Sequence, residues 1–156
     1  MRMRRRDVLR GGSAAALALA TGAWRPRAAG AQAPAWNQGA FSGKSLDEVL
    51  KALGGDKATP TKDVSWGSTP EIAENGAVVP IAISSAIPRT QAIAIIIEKN
   101  PNPLAAEFDV PAGTDPSIVT RVKMAQTSNV HAMVKADGKY YVATREIKVT
   151  LGGCGG

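Results

Sequence analysis

From Val64 to Leu151 the chain either alternates apolar with polar residues or runs through β-branched ones, and turn chemistry interrupts it at intervals of about ten residues. No segment of helical periodicity separates these runs, so the spacing that joins parallel strands through helices is missing. Gln91 to Ile97, with Ile93, Ile95, Ile96 and Ile97, is the most hydrophobic stretch after the leader and is expected to be a central strand. Ile118, Val122 and Met124 oppose Arg121 and Lys123, and Val130, Ala132 and Val134 oppose His131, Met133 and Lys135. Such one-sided strands belong to a sheet with one wet face. Asn75-Gly76 and Asp137-Gly138 suit the positive φ angles of two-residue hairpins. The first is expected to join Glu71–Glu74 to Ala77–Ser84, and Pro80 inside the second run places that strand at an edge or a bulge. Asn100-Pro101-Asn102-Pro103 forces a further turn before Leu104–Val110. About seven short strands of this kind predict an immunoglobulin-like antiparallel β-sandwich spanning 44–151.

One short N-terminal helix precedes the sandwich. Ser45-Leu46-Asp47-Glu48 has the form of a capping box, Leu46, Val49, Leu50 and Leu53 recur at helical spacing, and Gly54-Gly55 ends the turn. Residues 32–43, rich in Ala, Pro, Gly and Gln, read as a flexible segment in which Trp36 and Phe41 hold to the body.

The first residues are a targeting signal. Arg4-Arg5-Arg6-Asp7-Val8-Leu9-Arg10 leads into an apolar run, Gly11 to Ala23, too short to span about 30 Å of hydrocarbon. Arg5-Arg6 looks like the twin arginine of the route that exports folded proteins to the periplasm. Ala29-Gly30-Ala31 and Ala31-Gln32-Ala33 both fit a cleavage site; the second would put Pro34 directly after the cut, so the first is favoured and sets the signal at 1–31, with no membrane anchor expected in the mature chain. The formal net charge of +6 sits in this leader: residues 1–33 carry seven arginines and one aspartate, and the twelve basic and twelve acidic residues that remain cancel. A near-neutral mature protein lacks the basic stripe that phosphate neutralisation requires, so nucleic acid is excluded as a partner.

The single cysteine lies in Gly152-Gly153-Cys154-Gly155-Gly156. Glycine has no Cβ, so Gly152, Gly153, Gly155 and Gly156 give the sulfur wide orientational freedom with little bulk beside it. Three residues beyond Leu151 reach about 10 Å when extended. An odd thiol in an exported chain stays free, pairs with another chain or carries a covalent adduct. No Lys, Arg or His stands within 152–156 to lower the thiol pKa, so activation comes from a partner's active site and the chain is not itself an enzyme. This pattern points to a swinging arm with Cys154 as the attachment point. His131, the only histidine, reads as a solvated strand residue. One His and one distant Cys do not build a metal site, and no nucleotide loop or catalytic triad motif stands out. No metal or other cofactor is expected.

Val149-Thr150-Leu151-Gly152-Gly153-Cys154-Gly155-Gly156, behind a twin-arginine-like leader and a single β-rich domain, resembles the SoxY family of periplasmic sulfur-oxidation carrier proteins. Glu74-Asn75-Gly76-Ala77-Val78-Val79-Pro80-Ile81 and Asn100-Pro101-Asn102-Pro103 are similar to that family as well. The resemblance implies that Cys154 bears thiosulfate-derived intermediates. It implies a heterodimer with a SoxZ-like small subunit, and visits to a c-type cytochrome, a sulfate-releasing hydrolase and a sulfane dehydrogenase. Two other readings of the tail stay open: an exported immunoglobulin-like binding module that uses its thiol for intermolecular crosslinking, and a Gly-Gly thiocarboxylate sulfur carrier acting through Gly156.

Overall fold

The computed structural model describes residues 36–151. The leader with Arg5 and Arg6 and the expected arm with Gly152, Gly153, Cys154, Gly155 and Gly156 lie outside the described residues. Nine strands follow two short helices, α1 (Gln38–Ser42) and α2 (Leu46–Leu53). The strands are β1 (Thr59–Pro60), β2 (Val64–Trp66), β3 (Ile72–Asn75), β4 (Val79–Ser85) and β5 (Thr90–Ile97), then β6 (Leu104–Asp109), β7 (Ser117–Val122), β8 (Ser128–Ala136) and β9 (Lys139–Leu151). They form the expected sandwich. One sheet runs β1-β9-β8-β5-β6 with β3 also on β9, and the other runs β2-β4-β7.

β5 explains why the most apolar run is so apolar. Ile93, Ile95 and Ile97 face the interior between the sheets, beside Ile81, Ile83, Val130, Val134 and Ile147. Ala94 and Ile96 point the other way, into a second apolar layer with Ala40, Val49, Leu53, Leu104 and Met133. The helices cover this outer face, so β5 is dry on both sides and its sequence loses alternation. The helix α2 starts where expected: the Ser45 hydroxyl accepts from the Glu48 backbone at 3.3 Å. Glu48 reaches back to the Lys44 N–H at 2.8 Å instead of to Ser45. Gly54 ends the helix at φ 79°, a left-handed C-terminal position that suits glycine.

Three expectations change. The described part of the segment at 32–43 is not a flexible tether: Asn37 caps α1 by accepting from the Ala40 N–H at 3.1 Å, and its amide donates to the Ala52 carbonyl at 3.0 Å. Five residues are too few to show helical periodicity, which is why the sequence conceals this helix. The ladders are not wholly antiparallel either, because β1 and β3 pair with β9 in parallel. Finally, Asn75-Gly76 makes no hairpin. Gly76 is absent from the positive-φ glycines, which are Gly54, Gly113 and Gly138. The Asn75 side chain instead accepts from the Ala77 N–H at 2.8 Å, a local turn that carries the chain from one sheet to the other. Asp137 (φ 49°) and Gly138 (φ 71°) do form the tight β8–β9 hairpin. Pro80 alters a fourth, because β4 is the middle strand of its sheet and its register with β7 has no bulge; β2 reaches only as far as Ile83, so the missing N–H of Pro80 lies where β4 has no second strand partner.

Candidate functional site

The strand that leads to the expected arm is the longest among the described residues. β9 has thirteen residues and pairs with β8 from Lys139↔Ala136 to Ile147↔Ser128. Its core-facing residues are Ala143 and Ile147, and half-buried Val149 packs against the same interior. Lys148 to Leu151 extend past the end of β8. There β3 takes over on the opposite side, with Ile72↔Lys148, Ala73↔Val149 and Asn75↔Leu151 in register. The Lys148 N–H donates to the Glu71 carbonyl at 2.9 Å, and the Gly76 N–H donates to the Leu151 carbonyl at 2.7 Å. The Thr150 hydroxyl donates to the Glu74 carbonyl at 2.8 Å. On the β8 side the Thr127 hydroxyl accepts from the Val149 N–H at 2.9 Å. Gly76 is also tied to the segment that leaves β7, because its carbonyl accepts from the Met124 N–H at 2.7 Å, two residues past the strand. Leu151, three residues before Cys154, is thus the last described residue and is held by backbone pairing.

Apolar side chains are exposed at this end. Leu151 is 66% exposed, Ile72 59% and Val78 54%. Val119, on the solvent side of β7, is 77% exposed.

Groups with displaced pKa values lie elsewhere. Asp137 and Arg89 form an exposed ion pair beside the β8–β9 hairpin. Hydrogen bonding to Arg89 holds the Asp137 carboxyl below its ordinary range, and the same contact raises the Arg89 pKa. β9 separates this pair from Leu151 by roughly 40 Å at about 3.3 Å per residue. A cleft of about 750 Å³ lined by Ile87, Arg89, Val110, Pro111 and Asp137 is at that far end. Glu107, on the helix side of β6, has its pKa raised by partial burial first and by Asp109 second.

His131 is not the solvated residue the alternation suggests. Its Nε2 lies 2.7 Å from Glu98 Oε1 and its Nδ1 lies 2.8 Å from Thr144 Oγ1, leaving the side chain 13% exposed. Thr144 is its direct partner across the β8–β9 ladder, so the cross-strand pairing sets one of these contacts. Among the described residues no group of three His, Cys, Asp or Glu is placed to hold a metal ion. No helix among them is long and apolar enough to cross a membrane. Sequence reading missed the set that fixes Leu151. Thr127 carries no motif, the Asn75-Gly76 signal points to a hairpin instead, and the partners of both residues are distant in the chain.

A family model described as sulfur oxidation protein SoxY matches residues 50–154, which takes in most of the sandwich and ends at the cysteine. No curated protein matches the chain. Among solved structures, the sulfur carrier protein SoxY from Chlorobium limicola f thiosulfatophilum is similar at 38% identity. That match has a TM-score of 0.61 and covers 69% of this chain and 97% of the other. Two variants of superoxide reductase (neelaredoxin) from Ignicoccus hospitalis are similar at 14% identity and a TM-score of 0.48. They cover 64% and 67% of this chain, and 86% and 92% of their own. With the family model spanning more than half of its length and a SoxY structure matched almost end to end, this chain belongs to the SoxY family of sulfur oxidation proteins.

Proposed function

We propose that the protein is a covalent carrier of sulfur intermediates in periplasmic thiosulfate oxidation, with the Cys154 thiol holding the substrate as it visits partner enzymes. The observation that carries this reading is the fixed position of Leu151 three residues before the only cysteine. The rigid base and the glycine-flanked thiol are the two parts that a carrier needs. A thiol suits the cargo because sulfur–sulfur bonds form and break by thiolate exchange under mild conditions.

In the first step the Cys154 sulfur joins the outer sulfur of thiosulfate. One S–S bond forms, the thiol proton leaves, and two electrons pass to a c-type cytochrome partner. A hydrolase then adds water across the bond to the sulfonate, releasing sulfate and leaving a persulfide on Cys154. A sulfane dehydrogenase oxidises the remaining sulfur. No group of this chain is asked to perform the chemistry. Its part is to hold the sulfur and present it at a defined reach. Export through the Arg5-Arg6 leader places the carrier in the periplasm, and a SoxZ-like subunit travels and functions with it as a heterodimer. The exposed Ile72, Val78, Val119 and Leu151 supply apolar surface that such a partner can cover.

Cys154→Ser tests the reading. Cells carrying it are expected to lose thiosulfate-dependent respiration while the protein stays folded, exported and copurified with its small partner. Normal thiosulfate oxidation in that strain overturns the carrier role, and a monomer at every concentration overturns the heterodimer. The crosslinking reading expects a disulfide that persists through turnover, and the thiocarboxylate reading expects activity to depend on the Gly156 carboxylate.

A further inference from the structure

The last four residues of β9 are held by a short parallel strand and by side-chain bonds in place of β8. A strand that outruns its neighbour normally frays, since its backbone groups turn to water and its end gains conformational freedom. Beyond Ile147 the β8 partner is gone, yet Lys148 to Leu151 remain paired. On one side β3 runs in parallel only where β8 is missing. On the other, Thr127 stands in for a strand residue, its hydroxyl accepting from the Val149 N–H at 2.9 Å and lying 3.5 Å from the Val149 carbonyl oxygen. Thr150 adds a side-chain bond to the Glu74 carbonyl at 2.8 Å. Gly76 closes the arrangement, donating to Leu151 and accepting from Met124, two residues beyond the end of β7, both at 2.7 Å.

We infer that β3, Thr127, Thr150 and Gly76 form a clamp whose role is to set the length of the carrier arm. They are positioning residues, and the inference rests on the carrier reading above. With the clamp closed, three residues separate fixed Leu151 from Cys154. With it open, the last fixed residue is Ile147 and the separation is seven. The extended reach then grows from about 10 Å to about 24 Å at 3.3 to 3.6 Å per residue. A longer leash dilutes the thiol at a docked enzyme's active site. The −3/2 power dependence of effective concentration on length gives a loss of about 3.5-fold.

The test is the double variant Thr127→Val, Thr150→Val in the full exported protein. It removes two hydroxyls and leaves the side-chain volumes nearly unchanged. Amide exchange at Val149 and Gly76 is expected to accelerate at least tenfold while amides in β8 keep their protection. Thiosulfate turnover at limiting partner enzyme is expected to fall about 3.5-fold, and alkylation of Cys154 by iodoacetamide, a reagent small enough to ignore arm length, to stay unchanged. Thr127→Ser on its own, which keeps the hydroxyl, should retain parental exchange. Unchanged exchange at Val149 and Gly76 overturns the clamp, as does equal acceleration throughout β8, which would mark general destabilisation. If turnover proves independent of Cys154, the carrier reading fails while the exchange data still decide whether the clamp exists.

Discussion

Ile96→Ala probes the layer that fixes the helices on the sandwich. Ile96 is fully buried and faces the helix side of β5, among Ala40, Val49, Leu53, Leu104 and Met133. The substitution removes three carbons, worth about 2.4 kcal/mol at roughly 0.8 kcal/mol for each buried methylene-sized group. The space left behind is walled by the β5 backbone below and by α2 above, so it collapses only in part. Adding the cavity contribution brings the expected loss to about 3 kcal/mol. For a domain of this size that is a fall of roughly 10 °C in Tm. Urea unfolding followed by far-ultraviolet circular dichroism measures the loss, and Trp36 fluorescence in a Trp66→Phe background reports whether the α1–α2 layer loosens before the sheets. Ile95→Ala is the control: the neighbouring side chain is equally buried but faces the sandwich interior, and its loss should not release the helices first. A cost below about 1 kcal/mol for Ile96→Ala would mean that the helices do not enclose this side chain, because one enclosed on all sides cannot be removed so cheaply.

Two further outcomes follow from the site and its surroundings. Replacing Gly153 and Gly155 by valine should slow thiosulfate turnover and leave the urea midpoint unchanged, since the added bulk falls beyond Leu151; equal rates would count against insertion of the thiol into narrow clefts. Glu107→Gln should raise stability at neutral pH. A carboxyl whose folded pKa lies above its unfolded value loses stability as pH climbs from the unfolded to the folded value, so the gain should vanish on acidification below the ordinary glutamate range, and Tm measured against pH for both proteins checks it.

What the sequence disclosed depended on how local the cause was. The Asp137-Gly138 hairpin, the Ser45 cap and the Gly54 stop are each decided within a few residues, and each stands in the fold as the sequence implies. Asn75-Gly76 carries the same local signal as Asp137-Gly138 but yields a different turn. The Gly76 N–H is taken by Leu151, 75 residues away, and such a partner leaves no trace nearby. β1, two residues long, escaped for the same reason, and so did the parallel pairing of β3 with β9, although the strand itself was expected at Glu71–Glu74. The second apolar layer did leave a mark, in that Ala94 and Ile96 break the alternation of β5 and Met133 breaks that of β8. The alternation nevertheless put Met133 on a wet face with His131 and Lys135, and the structure buries it in the layer under the helices instead. His131 gave no comparable sign, because its contact with Glu98 joins residues 33 apart in the chain.

Carriage of sulfur cargo by Cys154 between separate catalysts leaves a trace that mass spectrometry of the C-terminal peptide detects, in protein isolated from cells respiring thiosulfate. A sulfane or sulfonate-terminated adduct on Cys154 is expected to appear with substrate and disappear when thiosulfate is exhausted. A bare thiol throughout turnover, or a single disulfide that never changes, would contradict such carriage.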